Sequence, residues 1–68
     1  MRLSTRNQLD ATVTSVQHGE VMSMIKVDLN GQSMTAAITR ESAEELGLAA
    51  GDKVKVLVKA TEVMLGKE

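Results

Sequence analysis

The chain has 68 residues, 43% of them hydrophobic and none aromatic, with no cysteine, one histidine and a formal net charge of −1. A chain this short makes one domain, residues 1–68, and buries only about 60% of the surface that its unfolded state exposes, so further support is expected. Disulfides are excluded, metal ligands are scarce and the charge exerts no general pull on nucleic acid, which leaves self-association as the expected support.

In chain order, residues 4–8 (STRNQ) come first, a block of hydrogen-bond donors without a carboxylate. Leu9, Ala11 and Val13 then alternate with Asp10, Thr12 and Thr14, the period-two pattern of a half-buried strand. Residues 17–20 (QHGE) read as a turn. A second alternation covers residues 21–29 and ends at Asn30-Gly31, the dipeptide that tight type I′ hairpins favour. A two-residue turn there sets Leu29 against Gln32, Val27 against Met34 and Ile25 against Ala36. This register gathers Val21, Ile25, Val27, Leu29, Met34, Ala36 and Ile38 on one apolar face, so it is self-consistent. The opposite face carries Met22, Met24 and Ala37 beside Lys26, Asp28, Ser33 and Thr35. Half of that outer face is apolar where water is expected, as a subunit contact requires.

Residues 39–48 (TRESAEELGL) change character. Thr39 is a good N-cap, Glu41, Glu44 and Glu45 suit the positive end of a short helix, and Gly47 suits a left-handed stop. Val54, Val56 and Val58 then face one way, and Lys53, Lys55, Leu57 and Lys59 the other. Residues 62–65 are expected to add a last short strand. Three strands, a helix and two strands give an all-β fold with one short helix, in the order of a five-stranded OB-fold-like barrel.

Catalytic chemistry finds little purchase. His18 stands in a turn without an orienting partner, the five glycines are isolated, and Met22, Met24 and Met34 fall on two faces rather than around one soft metal. No residues are expected as direct ligands of a metal cation, and no enzyme activity is expected. Single-stranded nucleic acid, a common OB-fold ligand, calls for aromatic platforms and a basic groove; the chain offers neither. No apolar run approaches the roughly 18 residues of a membrane span, and no export signal precedes the first strand, which fits the cytoplasm. Residues 38–56 (ITRESAEELGLAAGDKVKV) resemble the swapped-hairpin DNA-binding regulators related to antitoxins. Those regulators place the motif near the start of a basic chain, whereas here it lies in the second half of a slightly acidic one.

Taken together, residues 4–9 (STRNQL) and 56–65 (VLVKATEVML) resemble the molybdate- and tungstate-binding Mop domain, the molbindins. Thr5 stands where that family usually has alanine. The resemblance covers essentially the whole chain and implies a hexamer arranged as a trimer of dimers, with oxyanion sites between subunits and a role in cytoplasmic molybdenum storage or homeostasis. It implies that Ser4 and Arg6 come from one subunit, and Thr39, Ser42, Lys59 and the backbone at Ala60 from a neighbour. The ligand would be molybdate or tungstate, with no organic cofactor. The residue types suit a tetrahedral dianion, which needs donors and positive charge: Arg6 and Lys59 offer charge-assisted hydrogen bonds, and the hydroxyls of Ser4, Thr39 and Ser42 can each rotate to donate.

Overall fold

The computed structural model describes residues 6–68. Its elements are β1 (Asn7–His18), β2 (Met22–Leu29), β3 (Gln32–Thr39), helix α1 (Arg40–Leu46) and β4 (Lys53–Val58), followed by a single 3₁₀ turn at Ala60–Glu62. The four strands form one antiparallel sheet in the order β3-β2-β1-β4. The fold is thus mostly β with one short helix.

The β2–β3 hairpin has the register expected from its turn: Leu29 faces Gln32, Val27 faces Met34 and Ile25 faces Ala36. Asn30 at φ 53° and Gly31 at φ 97° supply the two left-handed residues, which a type I′ turn requires and few other dipeptides adopt without strain. β1 reaches His18, so the turn into β2 is shorter than the sequence suggests. Between Val13 and Ser15 its register slips by one residue. At this bulge β1 passes from β4, which pairs with Asn7 to Thr12, to β2, which pairs with Thr12 to His18. The turn before β4 is stitched to the same point, since Val13 N–H donates to the Asp52 carbonyl at 2.8 Å and Gly51 N–H to the Val13 carbonyl at 2.7 Å. A bulge bends and twists its strand, which lets one long strand serve both halves of the sheet.

Ala11, Val13, Ile25 and Val27 from the inner face of the sheet, with Ala43 from α1, form the buried core. Val16, Leu29, Ala36, Ile38, Leu48, Val54 and Val56 pack around it. Two residues of the expected apolar face fall outside the core: Met34, paired with Val27 on β3, is 36% exposed, and Val21 precedes β2 and is 71% exposed. Ser23 takes the inward place instead, fully buried, with its hydroxyl 2.7 Å from His18 Nδ1. Met22, Met24 and Ala37 lie exposed on the outer face as expected.

The expected fifth strand is not present. Residues 60–62 turn as a 3₁₀ helix, with Glu62 N–H donating to the Lys59 carbonyl at 2.9 Å. Val63, Met64 and Leu65 then run on without strand pairing and are 48%, 91% and 96% exposed. The sheet is therefore open. Between its outer strands an apolar groove of about 300 Å³ remains, lined among others by Ala36 and Ile38 of β3, Leu46 and Leu48, and Val54 and Val56 of β4.

Candidate functional site

The residues singled out in the sequence fall into two groups. The first lies where β1 begins and β4 ends. Asn7 pairs with Val58 as the last pair of the β1–β4 ladder, so Arg6 and Lys59 are the residues that adjoin that pair, one on each strand. Lys59 keeps an extended backbone, φ −64° and ψ 136°, before the 3₁₀ turn begins at Ala60. The carbonyls of Lys59 and Ala60 accept from Glu62 N–H and Val63 N–H within that turn, while the Ala60 N–H stays outside these bonds. Among the described residues neither Arg6 nor Lys59 is in an ion pair; the two found are Lys55–Asp10 and Arg40–Glu44, each at 2.6 Å. Ser4 lies outside the described residues.

The second group sits where β3 passes into α1. Thr39 caps the helix, its Oγ1 accepting from Ser42 N–H at 3.1 Å. The Thr39 hydroxyl also donates to Ser42 Oγ at 2.8 Å. Either hydroxyl can donate in this pair, so one proton of the two is left to donate outward. Gly47, at φ 62°, closes the helix with its N–H on the carbonyls of Ala43 and Glu44, the left-handed stop read from the sequence. The helix is only seven residues long, so its dipole adds little to any anion site. The surrounding surface is also acidic, a depression lined by Glu20, Val21, Thr39, Arg40, Glu41 and Glu44. Arg40 is its one cation, and its side chain is engaged: Nε donates to Glu44 Oε1 at 2.6 Å and Nη1 to the Gly19 carbonyl at 3.3 Å. Its backbone N–H donates to the Val21 carbonyl at 2.7 Å. Arg40 thereby ties the helix start to the β1–β2 turn. Its spacing to Glu44 (i, i+4) was visible in the sequence; its bond across to Gly19 was not.

The two groups do not meet within one chain. Thr39 pairs with Met22, beside the end of β1, whereas Lys59 follows the strand that pairs with its start. Between them runs the twelve-residue β1, roughly 36 Å of extended backbone. The first group brings positive charge and the second brings hydroxyls in an acidic setting. Neither alone surrounds a dianion.

His18 holds the buried Ser23, a structural task rather than a catalytic one. Among the described residues no cluster of His, Asp or Glu side chains could hold a metal cation, and no helix is long and apolar enough to cross a membrane.

An open four-stranded antiparallel sheet packed on a small aliphatic core, with one short capped helix, defines a small OB-like domain. The chain belongs to the TOBE domain family, whose model matches residues 3–65, and within it to the molbindin type. It is 50% identical over 66 residues to the molybdenum-pterin-binding protein MopA of Rhodobacter capsulatus, covering 96% of this chain and 25% of that one. It is 33% identical to a probable molybdenum-pterin-binding protein of Haemophilus influenzae, each chain covered in full. Its fold superposes with a TM-score of 0.95 on a molybdate-binding protein from Sporomusa ovata, 48% identical, with 98% of this chain and 100% of that chain covered. The chain thus spans about a quarter of the Rhodobacter relative and the whole of the other two.

Proposed function

We propose that the protein binds molybdate or tungstate at the subunit interfaces of a homo-oligomer, a hexamer built as a trimer of dimers, for cytoplasmic molybdenum storage and homeostasis. In this assignment residues 1–68 act as a single Mop domain, with Ser4, Arg6, Thr39, Ser42, Lys59 and Ala60 as ligands. Its main support is that Arg6 and Lys59 each follow directly on the last β1–β4 pair, Asn7 with Val58, and that no carboxylate is paired to either among the described residues. Like charges at adjoining strand ends repel, and a dianion between them relieves that repulsion. The separation of this cation pair from Thr39 and Ser42 supports a site shared between chains, since one tetrahedral ion cannot span the length of β1. The relatives named for molybdenum or molybdate binding supply the ion's identity.

The protein's own role is to hold and release the ion, with no covalent step. Arg6 and Lys59 supply charge, Ser4, Thr39 and Ser42 hydroxyl donors, and Ala60 a backbone N–H. Residues 62–65 complete a five-stranded barrel by filling the apolar groove between the free edges of β3 and β4. When a neighbouring copy supplies that segment, barrel closure and assembly become one event.

A swapped-hairpin DNA-binding regulator is not favoured: the net charge is −1, and the matched relatives are named for molybdenum or molybdate. Calorimetric titration with molybdate and, separately, with a DNA duplex distinguishes the two. Saturable molybdate binding without duplex binding is expected. Salt-dependent duplex affinity without a molybdate signal would overturn the assignment.

A further inference from the structure

We propose that Asn30 is a site of spontaneous modification in the folded protein, converting to aspartate and isoaspartate with Asp28 receiving the proton. Asn30-Gly31 forms the exposed tip of the β2–β3 hairpin. Glycine leaves its own nitrogen unshielded, so that nitrogen can reach the side-chain carbonyl carbon of the preceding asparagine. The Gly31 N–H already points at a carboxylate, donating to Asp28 Oδ2 at 3.3 Å. In the step, Gly31 N gives its proton to Asp28 and bonds to Asn30 Cγ. The bond from Cγ to Nδ2 breaks, and Nδ2 leaves as ammonia once it has taken up a proton. The five-membered imide that results is opened by water at either carbonyl, which gives aspartate or isoaspartate. No oxidant or other reagent is needed.

The location gives the change consequences. A new carboxylate at position 30 joins Asp10 and Asp28 around the cleft that these residues line with Ala11, Thr12 and Lys53. Isoaspartate also adds a methylene to a two-residue turn whose geometry fixes the hairpin register. The aged molecule should therefore carry one more negative charge and unfold at a lower temperature. Asn7, the other asparagine, precedes Gln8 and pairs with Val58 inside β1, so it serves as an internal control.

The test is to hold the folded wild-type protein at mildly alkaline pH and to map its peptides by mass spectrometry at intervals. The peptide with Asn30 should lose its amide progressively, with isoaspartate as a product, while the peptide with Asn7 stays intact. Asp28→Asn should slow the loss severalfold. Persistence of the amide in the folded protein, including the case where only the urea-unfolded chain converts, would overturn the proposal. An unchanged rate in Asp28→Asn would remove the role given to Asp28.

Discussion

Arg6 and Lys59 are where the functional assignment can fail most simply. If both sat in solvent, truncation would change little beyond about 0.5 kcal/mol of stability. As joint holders of a dianion, each contributes a charge-assisted hydrogen bond of about 1.5–3 kcal/mol, which corresponds to a roughly ten- to over a hundredfold loss of affinity on removal. Arg6→Ala and Lys59→Ala should show that loss by titration calorimetry while the ion-free fold melts as before, and the double variant should lose less than the sum. Wild-type affinity in both single variants would remove the site. Thr39 and Ser42 should separate in a different way. Thr39→Val removes the cap and should cost about 1 kcal/mol of stability as well as affinity, whereas Ser42→Ala should cost affinity with less effect on stability. Thermal melts paired with titrations read the difference. At this scale the sequence marked Thr39 as a cap because its side chain acts on the residues that follow it. It could not show that the Thr39 and Ser42 hydroxyls bond to each other, nor that Ser23 goes inward and is held by His18, because both depend on which neighbours the fold supplies. His18→Ala should therefore destabilise by about 1–3 kcal/mol, leaving a buried hydroxyl unpaired, and Ser23→Ala by less. Equal losses in chemical denaturation would contradict that asymmetry.

Among the elements, the hairpin was the most legible. Asn30-Gly31 fixes the turn, the turn fixes the register, and alternation then fixes the faces. The helix was legible for the same local reason, having a cap and a stop in its own residues. The bulge at Val13 and Ser15 was not, since it arises where β1 changes partners and leaves no local mark. The last strand was misread on its own. Residues 62–65 carry the apolar character of a strand, but β-pairing needs an edge, and in the single chain a 3₁₀ turn at Ala60–Glu62 is followed by residues that pair with none. Under the proposed closure of the barrel, the groove between β3 and β4 takes up this segment, and Leu65, 96% exposed in the isolated chain, should become buried on assembly. Leu65→Asp should then shift the protein towards smaller species, because a charge would lose its water on entering the groove. Unchanged sedimentation for this variant would disprove that placement of the segment.

For the whole molecule, the described core is small: five apolar residues are buried in the isolated chain, and Met22 and Met24 each remain 45% exposed on the outer face. Association is the physical remedy for a domain of this size. Met24→Glu should weaken it by placing a charge where an apolar contact is expected. A ligand bound only by the folded assembly also stabilises by mass action, about 2.7 kcal/mol at a hundred times its dissociation constant, so molybdate should raise the melting temperature. The sequence raises assembly only as an expectation, from length and absent cysteines, and gives it no geometry, because a composition specifies no symmetry. Mass spectrometry of the intact assembly, with and without molybdate, reads subunit number and ion count together and so bears on the shared site most directly. A hexamer that retains molybdate, while the monomers released from it retain none, is the predicted result. A monomer that holds the ion alone, or a hexamer that holds none, would contradict a site built between subunits.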